Sequence, residues 1–159
     1  MTLEEAFTML WEYRYRLEGQ WHTPRQLDCL RFACTEAGEA LDAQLRQDPT
    51  FHRNTDRDRD YAEEIADTAM MLCTALGTAG WQDVIEEPLP EVSTEKLLHL
   101  AATATIYCMV GMFPTMKQYT ILALRCCNDL VPNLGEEILA RLQRKEARLR
   151  VEAQGLNRA

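Results

Sequence analysis

The chain has 159 residues, 47% of them apolar and 26% charged, with a formal net charge of −8. That is the length of one domain and the composition of an ordinary globular protein. The acidic balance argues against a general affinity for nucleic acid, which needs clustered Lys and Arg to displace counterions. No apolar run reaches membrane-spanning length, and the start MTLEEAFTML lacks the basic segment of a signal peptide, so a cytoplasmic protein without a membrane partner is expected.

Gly and Pro divide the chain into helix-length segments, and β-branched runs are scarce. The first helix is expected from Thr2, spaced from Glu5 as in a capping box, to about Leu17. Its apolar stripe is Leu3, Phe7, Leu10, Trp11 and Leu17, interrupted by Arg14. Trp21-His22-Thr23-Pro24 is a linker in which Thr23 is placed to cap and Pro24 to take the first helical position. The second helix runs from about Pro24 to Arg46, with a main stripe of Leu27, Leu30, Cys34, Ala37, Leu41 and Leu45. A second row, roughly opposite, reads Cys29, Phe32, Glu36, Glu39 and Ala43.

Residues 48–57 (DPTFHRNTDR) form a polar loop, and a third helix is expected from about Asp58 to Leu76. Tyr61, Ile65, Ala69, Leu72 and Leu76 make its apolar stripe, beside a row of Asp60, Glu64, Asp67, Met71 and Thr74. After an irregular connection at 80–91, helices are expected from Ser93 to about Val110, from a Thr115 cap to about Leu130, and from Leu134 to about Glu152. The fold class is therefore all-α, a bundle of five or six helices, with residues 1–154 as one domain and 155–159 as a tail. The six cysteines (Cys29, Cys34, Cys73, Cys108, Cys126, Cys127) contain no CxxC and read as buried free thiols. His22, His52 and His99 share no metal spacing.

Two acidic motifs carry the chemistry: Glu36-Ala37-Gly38-Glu39 and Glu64-Ile65-Ala66-Asp67. In each, two carboxylates three residues apart share one helix face, where like charges repel unless something positive sits between them. Both pairs continue rows of small or apolar side chains, so they should be partly shielded from water. Two helices joined by a short loop should form an antiparallel hairpin, with the acidic pairs facing each other as a metal site. Four carboxylates suit Mg²⁺, a hard cation that takes oxygen ligands and shares them with substrate phosphates. Such a site can polarise a phosphoryl oxygen and activate water, and a carboxylate not fully engaged with metal can accept the proton.

ExxE followed by ExxD, in the contexts TEAGEALDA and AEEIADTAMMLCTAL, resembles the all-α nucleoside triphosphate pyrophosphohydrolases of the MazG-like superfamily. The resemblance covers about Leu27 to Leu76. It implies hydrolysis of (deoxy)nucleoside triphosphates to the monophosphate and pyrophosphate, with Mg²⁺, or Mn²⁺ in its place, held by Glu36, Glu39, Glu64 and Asp67. It also implies a homodimer or homotetramer. Members of that superfamily often place basic residues after the ExxD helix, whereas here the next is Lys96. Candidate phosphate contacts are instead Arg53 and Asn54 in the loop, and Arg141 and Lys145 in the last helix; Trp21 and Phe32 are candidate walls for the base. Two alternatives stand beside this reading. A di-iron bundle would need Glu-x-x-His motifs, and Glu95 and His99 are four apart. A non-catalytic helical interaction module would look much the same as the enzyme.

Overall fold

The computed structural model describes residues 1–47, 60–78, 89 and 91–157. Among them are six helices and no strand: α1 (Leu3–Arg16), α2 (Gln26–Arg46), α3 (Tyr61–Leu76), α4 (Thr94–Met109), α5 (Phe113–Leu130) and α6 (Leu134–Asn157). The chain is an all-α helical bundle, as its sequence implies. None of the described helices is long and apolar enough to cross a membrane. The loop at 48–57, with His52, Arg53 and Asn54, lies outside the described residues.

The helix starts follow from where each first-turn N–H group finds an acceptor. At α1 the capping box forms: the Glu5 amide donates to the Thr2 hydroxyl at 3.1 Å, and the Thr2 amide donates to the Glu5 carboxylate at 2.7 Å. Asp60 caps α3 and Ser93 caps α4. The start of α2 departs from expectation. Thr23 turns back to donate its hydroxyl to Glu18 at 3.0 Å, so Arg25 precedes the first turn without a side-chain cap. At α5 the expected Thr115 cap is also replaced. Pro114 sits inside the first turn, where its missing N–H costs nothing, and the helix begins at Phe113. Gly77 and Gly111 end α3 and α4 with φ of 83° and 78°, which side-chain-bearing residues rarely adopt. Helix α6 continues to Asn157, beyond the expected end near Glu152.

Helices α2 and α3 form the predicted antiparallel hairpin. The side chain of Gln26, at the start of α2, donates to the carbonyl of Ala75 near the end of α3 at 2.9 Å. Ala33, Ala37, Ala40 and Ala43 form the buried seam of α2, together with Cys29 and Leu30. The leucine stripe expected there is only partly inside, and Leu45 is 42% exposed. Small residues let a helix approach its neighbours closely, so an alanine row is the inner face even though leucines are the more hydrophobic row. Helix α3 is the most enclosed element, packed against α2, α5 and α6. Tyr61 and Thr94 join the starts of α3 and α4 through their hydroxyls at 2.8 Å, and Tyr107 stacks on Tyr119 across α4 and α5.

All six cysteines are free, and Cys29, Cys73, Cys126 and Cys127 are buried. Burial pushes the thiols of Cys29 and Cys126 up to about 11 and that of Cys73 to about 12, because a thiolate has no water to solvate it there. At the turn between α4 and α5, Ile106, Met109, Val110, Met112 and Phe113 are all exposed, Val110 by 64%.

Candidate functional site

The hairpin brings three of the four motif carboxylates together. One oxygen each from Glu36 on α2 and from Glu64 and Asp67 on α3 lie within 4.8 Å of one another, all half-buried. Glu39 stands outside that triangle but belongs to the same cluster, close enough to raise the carboxyls of both Glu36 and Glu64. Carboxylates this close cannot all ionise cheaply. Burial, then the hydrogen bond to Glu64 and the charges of Asp67 and Glu39, pushes the Glu36 carboxyl up to about 8. Glu64 is raised as well, by burial first, while the hydrogen bond from Glu36 pulls it the other way. Glu36 therefore holds a proton more readily than an isolated carboxylate does, with Glu64 beside it to share it. The remaining charge of Asp67 is met from α6: Arg141 grips it with both arms, Nε to Oδ1 at 2.8 Å and Nη2 to Oδ2 at 2.6 Å. Glu63, next to the motif, is held outside the triangle by Arg144 at 2.5 Å.

Glu36 and Asp67 form the acidic wall of a cleft of about 370 Å³, the lower end of the range for small-molecule sites, and Glu64 stands beside them in the triangle. Four sequence-predicted substrate residues line it: Trp21, Phe32, Arg141 and Lys145. Phe32 is 51% exposed, so its ring borders open space rather than a closed slot. Arg144, Arg148, Met70 and Met71 also line the cleft and were not singled out by sequence. A signal for the two arginines existed. Residues 141, 144, 145 and 148 follow i, i+3, i+4, i+7 spacing, so a helix places these four cations on one face.

Arg14 is the other residue that sequence reasoning passed over. It does not interrupt the α1 stripe but continues it inward, and is 1% exposed. Its Nε donates to the Thr74 hydroxyl at 3.0 Å, and its guanidinium lies 4.1 Å from the centre of the Trp21 ring. Nη1 and Nη2 find no hydrogen-bond partner among the described residues, and burial lowers the pKa of the group. Trp21 also carries Lys145 at 5.7 Å from its ring centre. The ring thus rests against one buried cation and one at the cleft.

The donor set suits a hard divalent cation. All its atoms are carboxylate oxygens, with no His or Cys in the group, and its raised Glu36 carboxyl and arginine clamp both mark unmet negative charge. Fold and site together define an all-α bundle whose acidic cluster faces a cationic helix across one cleft. No protein family, no curated protein and no solved structure matches the chain.

Proposed function

We propose that this protein is a Mg²⁺-dependent hydrolase that cleaves (deoxy)nucleoside triphosphates to the monophosphate and pyrophosphate. One observation carries the reading: of three carboxylates within 4.8 Å of one another, Glu36 and Asp67 line a cleft shared with four cations of α6 and the Trp21 ring. Acidic oxygens suit a metal, a cationic row suits a phosphate chain, and an aromatic face suits a base. Glu36, Glu64 and Asp67, with Glu39 beside them, would hold the ion, which supplies Lewis-acid polarisation of a phosphoryl oxygen.

The rest falls to the chain's own side chains. Lys145 and Arg148 bind the phosphates, and Arg141 offsets the charge that builds on the departing pyrophosphate. Glu39, outside the triangle, accepts the proton of the attacking water. Water adds to the α-phosphorus as the bond to the α–β bridging oxygen breaks, and pyrophosphate leaves with that bonding pair. Trp21 and Phe32 border the base. The exposed apolar turn between α4 and α5 supports assembly into a homodimer or larger oligomer, since contiguous exposed apolar surface marks interaction sites.

A non-catalytic helical module is the rival, and the Arg141–Asp67 pair favours it, because that clamp already neutralises part of the acidic wall. A turnover assay separates the two. The protein is incubated with Mg²⁺ and a panel of nucleoside and deoxynucleoside triphosphates while pyrophosphate and orthophosphate are followed. Pyrophosphate release that Glu64→Gln abolishes is the expected result. Orthophosphate alone, or no turnover with any nucleotide, sinks the proposal.

A further inference from the structure

We infer that Arg141 couples the two halves of the cleft, so that a cation on the acidic wall and an oxyanion on the basic wall each tighten the binding of the other. The inference rests on the metal-site reading above and adds to it a residue with two mutually exclusive partners. In the structure both oxygens of Asp67 accept from one guanidinium, at 2.8 and 2.6 Å, and the pair is mostly shielded, at 31% and 20% side-chain exposure. Charge-assisted bidentate pairs of this kind are the strong ones.

A divalent cation drawn to Glu36, Glu64 and Asp67 competes with Arg141 for the same carboxylate. Once released, the guanidinium remains on the cleft wall, one helical turn from Lys145. Its planar fork matches a phosphate or sulfate oxyanion as well as it matches a carboxylate. Among the described residues Lys145 and Arg148 make no ion pair, so the anion that Arg141 meets is drawn to an end of the wall that is still positive. The converse exchange has the same sign. An oxyanion that captures Arg141 leaves the Asp67 carboxylate without its counter-charge, in a triangle that already crowds negative groups. The acidic wall then attracts a cation more strongly. Linkage makes the two effects equal in size, and couplings of this type usually amount to roughly 5- to 150-fold in affinity. Glu63 gives the released arginine a nearby resting partner, 3.6 Å from Nη1, so the exchange needs only a small swing.

The test uses the full chain and Mn²⁺ alone as the cation, with free Mn²⁺ followed by electron paramagnetic resonance. Titrations are run in chloride and in sulfate at equal ionic strength and pH, because sulfate supplies a tetrahedral oxyanion without sequestering the metal strongly. Sulfate is expected to tighten Mn²⁺ binding to the wild type by about fivefold or more. Arg141→Met is expected to bind Mn²⁺ more tightly than the wild type in chloride, and to lose the sulfate effect. Should that variant fail to fold, Arg141→Lys, which keeps the charge but not the fork, is expected to show a reduced sulfate effect. A sulfate effect absent from the wild type, or of equal size in wild type and variant, overturns the coupling while leaving the metal site standing. Absence of any Mn²⁺ binding removes the metal site itself, and the coupling with it.

Discussion

The two walls of the cleft solve opposite electrostatic problems in different ways. At the acidic wall, Glu36 and Asp67 are crowded with Glu64 within 4.8 Å, and the cluster answers with a raised Glu36 carboxyl and the borrowed Arg141. On the basic wall the cations are spread along two turns of α6. Arg141 and Arg144 are matched by Asp67 and Glu63, while Lys145 and Arg148 are left to the cleft. Crowded like charges cost stability wherever nothing opposite sits among them. A fold that keeps such a cluster on one wall and surplus cations on the other has a cleft whose two ends differ in sign, suited to a ligand that is metal-bound at one end and anionic along its length.

The largest effects should come from breaking the acidic wall. Glu36→Gln or Asp67→Asn should lower turnover on the order of 10²- to 10³-fold, the several kcal/mol a metal contributes to the transition state, in a steady-state pyrophosphate assay. The same variants should no longer gain thermal stability from added Mg²⁺. On the basic wall, Lys145→Ala or Arg148→Ala should raise KM roughly 10- to 150-fold with kcat little changed, as expected when one charge-assisted contact of about 1.5–3 kcal/mol is lost from ground and transition state alike. A drop in kcat at constant KM would instead place these side chains at the reacting phosphorus.

The pH dependence sharpens the contrast between the walls. The Glu36 carboxyl titrates at about 8 in the folded protein against an ordinary 4.5, so between those values the folded state binds more protons than the unfolded one. Stability in the presence of chelator is therefore full below the lower value and falls as pH rises through the upper one. Thermal midpoints followed across this window should decline with pH for the wild type. They should be flatter for Glu36→Gln, whose neutral amide does not titrate. Metal binding near neutral pH should release protons, which calorimetry in buffers of different ionisation enthalpy would detect. The smallest effect should fall behind the basic wall. Arg14→Met forfeits the Thr74 hydrogen bond and the Trp21 contact but removes a buried cation that has no carboxylate partner among the described residues. Its urea unfolding free energy should stay within about 1 kcal/mol of the wild type.

The acidic wall could be read from the chain because each half lies within a single helical turn, and the antiparallel hairpin follows from a short connection between two helices. The capping box of α1 was legible for the same reason: Thr2 and Glu5 are sequence neighbours in effect. What escaped depends on contacts between distant segments. The inner face of α2 is a row of alanines because α2 lies close to both α3 and α4, and no hydropathy ranking places Ala33 and Ala40 inside while leaving Leu45 out. Arg144 and Arg148 drew no notice, since spacing shows that they share a face but not that the face meets Asp67 and Trp21. Arg14 looked like a break in an apolar stripe because its acceptor, Thr74, is sixty residues away. Thr23 failed as a cap for a similar reason, its hydroxyl having been taken by Glu18.

The buried thiols give this bundle a built-in clock for its own opening. Cys73 lies on α3 two turns beyond Asp67, is 1% exposed, and has its thiol pushed up to about 12, so almost no thiolate exists near neutral pH. An alkylating reagent can reach it only when α3 loosens from its neighbours, and the labelling rate then measures the free energy of that local opening. Because the same helix carries Glu64 and Asp67, any ion or nucleotide that ties the hairpin together slows the reaction at Cys73. Occupancy of the cleft becomes visible in the chemistry of a sulfur atom that touches none of it.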